Sequence, residues 1–392
     1  MSAEAETSLN APASGKQTPL NNKTMPRAED LSNQAWRCTS GGISLQRVDV
    51  VIPCYNYAHF LQESVESVLS QTGVDVRVLI LDDCSPDNTP EVGKALASRD
   101  DRVTYRRHTT NMGHIATYNE GIDWAGGDLF LLLSADDYLL PGSLGRAAEL
   151  MRTYPNVGMA FGNALIAEPD GNTSRADPLG DNNVRPMQVL SGLQFIRLSG
   201  ASNLVPTPTA VVRTALQKQV GGYRKELPHA GDMEMWLRLA SHADVGFIKE
   251  DQAVYRRHAS NMSLQYYGEN ILSDLLQRKK AFDALFSQAT DSLKKDQMLR
   301  RFLARELGNK ALQQAGIAFN NFDLPTAAAI QRFALEVSPE LRNSLPRLKL
   351  ACKQTIGPKH WYALKSIARR VAGCMRRNRV SSSASTGTTV GS

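Results

Sequence analysis

Three carboxylate clusters and one cationic run carry the residue types that chemistry needs. Asp136 and Asp137 are adjacent and follow an apolar run. Like charges held that close are costly unless a cation neutralises them. Hard oxygen ligands of this kind suit Mg²⁺ or Mn²⁺, with water and substrate phosphates filling the other positions. The same pair would serve equally to end a strand and cap the helix that starts near Pro141. Asp82-Asp83, ahead of Cys84-Ser85-Pro86-Asp87-Asn88, reads two ways as well. It is ordinary turn chemistry, or it offers acceptor-only oxygens to a nucleotide base N–H and ribose hydroxyls. Asp232 opens a helix striped by Met235, Trp236 and Leu239. There it is an N-cap worth about 1 kcal/mol, or a general base. His258, in Tyr255-Arg256-Arg257-His258, is structural, completes a metal shell, or joins the arginines in neutralising phosphate.

These groups need elements to position them. Val48–Ile52 is a β-branched run stopped by Pro53, and Phe60, Leu61, Val65, Val68 and Leu69 form one helical stripe. The pattern then predicts strand 76–81, a helix over 89–98 capped by Asp87, Asn88 or Thr89, strand 102–106, helix 114–124 and strand 129–133. Alternation at this spacing means a parallel sheet covered by helices. In such sheets ligands bind outside the carboxyl ends of the strands. The residues found there are Tyr55 and Asn56, Asp82 and Asp83, Asn111-Met112-Gly113, and Ser134 to Asp137. Four strand ends thus converge on one carboxylate-rich crevice.

With 42% hydrophobic and 21% charged residues in 392, the composition is that of an ordinary globular chain. Its longest apolar runs, such as Leu129–Leu133, fall far short of the roughly 18 residues of a membrane span. No signal-peptide core stands near the N-terminus. Five cysteines without regular spacing argue against a disulfide framework and for a reducing, cytoplasmic setting. From Leu341 onward there are 11 Lys/Arg and no acid, whereas the preceding 340 residues hold 34 Lys/Arg against 39 Asp/Glu. The net charge of +6 therefore describes one segment, and the body is no nucleic-acid binder. The expected organisation is a disordered segment over 1–45, a catalytic domain over 46–263, a helical extension over 264–340, a basic amphipathic segment over 341–380 and a disordered tail over 381–392. Within the extension, Ala311 to Pro339 reads as a single helical hairpin with tetratricopeptide-like offsets and is an appendage rather than an array.

In order, Val48-Asp49-Val50-Val51-Ile52-Pro53-Cys54-Tyr55-Asn56, Leu81 to Thr89, Asn111-Met112-Gly113, Asn119-Glu120-Gly121-Ile122, Ala125-Gly126-Gly127-Asp128, Ser134 to Asp137 and Val220-Gly221-Gly222-Tyr223 ahead of Asp232 resemble the family-2 inverting nucleotide-sugar glycosyltransferases. The resemblance covers about residues 47 to 263. It implies a GT-A fold: α/β, with a mostly parallel Rossmann-like sheet, here followed by an α-helical C-terminal extension. It also implies that Asp83, beside Asp82, holds base and ribose, within a nucleotide set of Pro53, Tyr55, Asn56, Asn111, Gly113, Asn119 and Asp136. Asp136 and Asp137 stand at the family's Asp-x-Asp motif, and with His258 they would hold Mg²⁺ or Mn²⁺. Asp232 would be the catalytic base. Two positions depart from the pattern: Ser134 stands where many members have Asp, and Gly231 where they have Glu.

The implied reaction is transfer from a nucleotide diphosphate sugar, UDP- or dTDP-type favoured, to a saccharide, glycolipid or other hydroxyl acceptor in cell-surface polysaccharide or glycolipid synthesis. A nucleotidyltransferase would want a basic Gly-rich loop after strand one, and Pro53-Cys54-Tyr55-Asn56 offers none. A non-catalytic descendant that binds sugar nucleotides or a partner is the other reading. The tail mixes cations with Leu345, Leu348, Ile356, Trp361 and Ile367. It reads as a contact with the anionic inner face of the plasma membrane, or as a basic solvated helix packed on the body.

Overall fold

The computed structural model describes residues 45–180, 185–261, 271–288, 291–361 and 363. The readings of 1–44 and of the tail from 364 onward lie outside the described residues. The first half alternates β1 (Arg47–Cys54), α1 (Ala58–Leu69), β2 (Asp75–Asp82), α2 (Thr89–Arg99), β3 (Val103–Arg107), α3 (His114–Trp124) and β4 (Leu129–Leu132). All seven expected elements are present, with ends shifted by no more than two residues. One carboxylate ties two helix starts together: Asp87 accepts from Ala58 N of α1 at 3.0 Å and from Thr89 N of α2 at 3.1 Å. Neither Tyr57 nor Asn88 caps its own helix by a side chain.

After β4 come β5 (Tyr138–Leu139), α4 (Ser143–Thr153), β6 (Val157–Ala167), β7 (Thr173–Ala176), β8 (Met187–Leu190), α5 (Gly192–Ser199), a 3₁₀ turn at Thr207–Thr209, β9 (Val211–Arg213), α6 (Thr214–Val220), α7 (Gly231–Ala240) and β10 (Asp244–Arg256). The sheet runs β3-β2-β1-β4-β9-β6-β10-β5, with β7 on β6 and β8 on β10. The ladders of β1 with β2 and β4, of β2 with β3, and of β6 with β10 are parallel. β9 runs antiparallel between β4 and β6, and β5 antiparallel on β10. The antiparallel ladder of β10 with β5 carries the residues after β10 back to those after β4.

Strand alternation fills both faces. Val48, Val50 and Ile52 pack with Leu61, Val65 and Ala147 on one side. Val51, Leu79 and Leu81 pack with Phe161 and α7 on the other. The chain continues as α8 (Ile271–Gln288), α9 (Asp291–Lys294), α10 (Gln297–Asn320), α11 (Leu324–Val337) and α12 (Leu345–Ile356). Leu299, Leu303, Leu307, Ala311, Ala315 and Phe319 recur every four residues on the buried side of α10. The hairpin therefore begins at Gln297 rather than Ala311. Its core is continuous with Met233 and Trp236 of α7 through Leu275 and Phe282, so these helices share one core with the sheet.

Candidate active site

At the end of β2 the two aspartates part. Asp82 is fully buried and held by three donors: Ser85 N at 2.8 Å, Tyr105 Oη at 2.7 Å and Arg107 Nε at 3.1 Å. Asp83 turns into the crevice. Its Oδ1 accepts from Met112 N at 2.7 Å and its Oδ2 from Gly113 N at 2.9 Å. Gly113 has φ +81°, a conformation that glycine adopts freely, and this aims its N–H at the carboxylate. Asn111 Oδ1 accepts from the same N–H at 3.1 Å. His108, which no motif marked, lies between Asp83 Oδ1 (2.7 Å) and Glu120 Oε2 (2.9 Å). Burial opposes its charged form, but the two carboxylates outweigh burial and raise its pKa. With three donors in place, Asp83 keeps room on Oδ2 for one more.

Tyr55 and Asn56 follow β1 at the same rim, and Pro53 is inside β1. Tyr55 is exposed, and Asn56 N donates to Ser85 Oγ at 3.1 Å from a left-handed backbone. Asn119 is elsewhere engaged. Its Oδ1 accepts from Tyr223 N at 2.6 Å and its Nδ2 donates to Tyr223 O at 2.9 Å, so it staples α3 to the Gly221-Gly222-Tyr223 loop. Asn119, expected to touch nucleotide, has both polar side-chain atoms engaged by Tyr223, and Asp82, expected to do the same, takes three donors from the protein.

The pair after β4 parts as well. Asp136 Oδ2 lies 3.1 Å from His258 Nε2 and accepts from Asn261 Nδ2 at 3.2 Å. Its Oδ1 is buried with no partner among the described residues. Asp137 Oδ1 accepts from Arg256 N at 3.0 Å, and burial, then the charge of Asp136, push its carboxyl well above the usual range. Asp137 is thus turned to the backbone of β10. Among the described residues no three His, Cys, Asp or Glu side chains gather as a ready cation cage. The expected trio of Asp136, Asp137 and His258 reduces to a pair, because the Arg256 amide claims the middle member. His258 is stacked on Phe60 at 5.3 Å, while Tyr57 Oη donates to Ser260 O at 3.0 Å.

Asp232 sits in the first turn of α7, where Thr207 Oγ1 donates to its Oδ2 at 3.0 Å and Tyr223 also donates to it. Burial raises its pKa despite both hydroxyls and nearby His114. A Cβ on Gly231 would stand 3.3 Å from the Tyr223 ring. His114 follows Gly113, so Asp83 and Asp232 are linked through one turn of chain. Tyr223 is visible in the sequence only as a member of a motif block, and Thr207, Asn261 and His108 carry no signal there. A hydroxyl or imidazole becomes informative only once a carboxylate is seen beside it.

The site is thus a set of carboxylates at the carboxyl ends of β2 and β4 and at the start of α7, on an α/β sheet of Rossmann type. The profile of "Glycosyl transferase family 2" matches residues 49–218. An uncharacterized protein of Mycobacterium tuberculosis is 30% identical over 222 residues, covering 54% of this chain and 67% of its own length. The GalNAc(5)-diNAcBac-PP-undecaprenol beta-1,3-glucosyltransferase of Campylobacter jejuni is 30% identical over 132 residues, covering 33% of this chain. The match spans only 42% of the Campylobacter protein. The structure of S. aureus TarS 1-349 in complex with UDP shares the fold with TM-score 0.51 and 17% identity, over 76% of this chain and 91% of that one. The chain belongs to glycosyltransferase family 2, a family of the inverting class, and has the GT-A fold. Among the described residues no helix is long and apolar enough to cross a membrane.

Proposed function

We propose that this chain transfers a sugar from a UDP- or dTDP-type donor to an acceptor hydroxyl, with Asp232 as general base and Mg²⁺ or Mn²⁺ held by Asp136 and His258. The observation that carries this reading is Asp136 Oδ1, a buried carboxylate oxygen with no partner among the described residues, whose sister oxygen faces an imidazole. Buried polar atoms are nearly always satisfied. Oxygen and imidazole ligands with open positions suit either cation when diphosphate oxygens and water complete the shell. Such a cation, when bound, stabilises the charge growing on the leaving diphosphate.

Asp83 accepts a base N–H in its remaining position, and Tyr55, Asn56, Asn111 and Pro53 line the same rim. Asp82 and Asn119 serve by holding β3 and the Tyr223 loop. Thr207 and Tyr223 aim Asp232, which takes the proton from the acceptor hydroxyl as that oxygen attacks the anomeric carbon. The bond to the diphosphate breaks on the opposite face, so one displacement inverts the centre and needs no enzyme nucleophile. The experiment is donor turnover across sugar nucleotides with and without Mn²⁺. Asp232→Asn is expected to lose turnover and keep UDP binding; turnover that survives overturns the base.

The acceptor belongs to cell-surface polysaccharide or glycolipid synthesis, a reading supported by the lipid-linked name of the Campylobacter relative. In α12, exposed Leu345 and Leu348 alternate with Arg347 and Lys349, which supports contact with the anionic cytoplasmic leaflet. Liposome co-sedimentation should fall when residues after 340 are removed; unchanged pelleting speaks against that contact.

A further inference from the structure

One imidazole at the donor crevice stands between two carboxylates. His108 directly follows β3, and its backbone N donates to Asp82 O at 2.9 Å. Its side chain is nearly buried, with Nδ1 2.7 Å from Asp83 Oδ1 and Nε2 2.9 Å from Glu120 Oε2. Asp83 comes from the end of β2 and Glu120 from α3, so the ring ties a strand end to a helix. Both partners are acceptors. Asp83 already takes the amides of Met112 and Gly113, one on each oxygen. Glu120 turns its other oxygen toward Arg106 Nη1 of β3, at 4.0 Å.

A neutral imidazole has one N–H and one lone pair, so between two carboxylates it can satisfy only one of them. Its other nitrogen would then face a carboxylate oxygen lone pair to lone pair. Only the imidazolium donates on both sides, and charge-assisted bonds of this kind are the strong ones. Asp83, Glu120 and Arg106 are the charged groups that β2, α3 and β3 bring to this cluster. Burial opposes the charge on the ring, and the two carboxylates prevail and raise its pKa. The consequence falls on Asp83. A ring that donates on both sides fixes Oδ1 in one direction and leaves Oδ2 its one remaining position. The imidazolium also offsets the Asp83 charge beside a ligand whose phosphates are anionic.

We propose that His108, pinned by Glu120, is a positioning residue for the nucleotide: as an imidazolium it aims Asp83 at the base N–H, and nucleotide affinity falls as rising pH removes its proton. This rests on Asp83 accepting that N–H. Loss of the proton breaks one of the two bonds and leaves one more negative charge beside the nucleotide. Both effects weaken binding.

The test is calorimetric titration of the full chain with UDP at several pH values between about 6 and 8.5, the range around imidazole titration. Wild-type affinity is expected to fall about tenfold across that range, the share of one charge-assisted hydrogen bond. His108→Gln should bind about as weakly as the wild type does at the alkaline end, and nearly equally at both ends. The ligand is UDP throughout, so its own titration cancels in the ratio of the two proteins. A purely structural role would weaken His108→Gln by one factor at every pH. A constant ratio, or no weakening at all, therefore overturns the proposal. Glu120→Gln keeps an acceptor for the ring and removes its charge, and it should move the wild-type transition to lower pH. That variant, at a half-exposed position, decides the matter if His108→Gln fails to fold: an unmoved transition overturns the proposal. Asp83→Ala separates this inference from the reading beneath it. If Asp83→Ala binds UDP as tightly as the wild type, the nucleotide role of Asp83 fails and the proposal falls with it. If Asp83→Ala loses UDP while the His108→Gln ratio stays constant, only the positioning role is overturned.

Discussion

Buried aspartates stand at both ends of the parallel half-sheet, under opposite conditions. At the amino end Asp49, inside β1 and fully buried, accepts from Arg77 Nε at 3.0 Å, Arg77 Nη2 at 2.7 Å, Gly126 N at 2.6 Å and Gly127 N at 2.8 Å. The Arg77 guanidinium in turn lies 4.2 Å over the Trp124 ring. At the carboxyl end Asp136 has one oxygen without a donor among the described residues, and burial, then the charge of Asp136, push the neighbouring Asp137 carboxyl toward its neutral form. One carboxylate is consumed in closing the fold around the β4 approach. The other holds capacity that only a ligand can meet, and the fold gives up stability there. A carboxylate's surroundings, rather than its type, separate the two roles.

The comparison breaks if substitutions at the two ends act alike. The largest effect is expected at Asp232. Asp232→Asn should reduce turnover by roughly 10²- to 10⁴-fold, the usual share of a general base, with UDP affinity kept by calorimetry. Because burial raises the pKa of Asp232 in the folded state, the native protein binds that proton more tightly than the unfolded chain. That carboxylate therefore lowers stability as pH rises past its unfolded value. Asp232→Asn removes the penalty, so its melting temperature at neutral pH should equal or exceed the wild type's.

Next comes Asp136→Asn, expected to abolish the Mn²⁺ response of donor turnover. Relief of the repulsion with Asp137 leaves it no less stable in denaturant melts. A clear loss of stability would place Asp136 with Asp49 as a fold-holding residue.

Asp49→Asn should do the reverse, costing about 1–3 kcal/mol in urea unfolding while turnover per folded molecule stays near wild type. Burial works against the Asp49 charge, but Arg77 and the Gly126 and Gly127 amides prevail and hold its pKa below the usual value. Its contribution is therefore complete above the unfolded pKa and is lost as pH falls through the folded one. The wild type should lose this increment on acidification, and Asp49→Asn should not. The smallest effect belongs to Tyr105→Phe, which removes one of three donors to Asp82, at about 1 kcal/mol. Donor KM should shift slightly if Asp82 only braces its neighbour; a large rise would return Asp82 to the nucleotide.

The first half of the sheet was legible because its strands are continuous apolar runs and its helices carry single stripes. The second half was not. β5, β7, β8 and β9 have four residues or fewer, too few to show a period. The hairpin was placed too late because the stripe on α10 starts at Leu299, in a charged stretch that hides it.

At the site, residue types and their order along the chain placed Asp83, Asp136 and Asp232 after the right elements, since strand ends follow from local pattern. Which aspartate of each pair faces the crevice was decided by partners far away in sequence. Tyr105 and Arg107 turn Asp82 inward, and the Arg256 amide claims Asp137. A hydrogen bond takes its directions from three-dimensional packing, and no spacing along a single chain records them. The union of the later helices with α7 has the same origin: Gln277 can accept from the two amides just ahead of a helix that begins 46 residues before it only because folding brings them together.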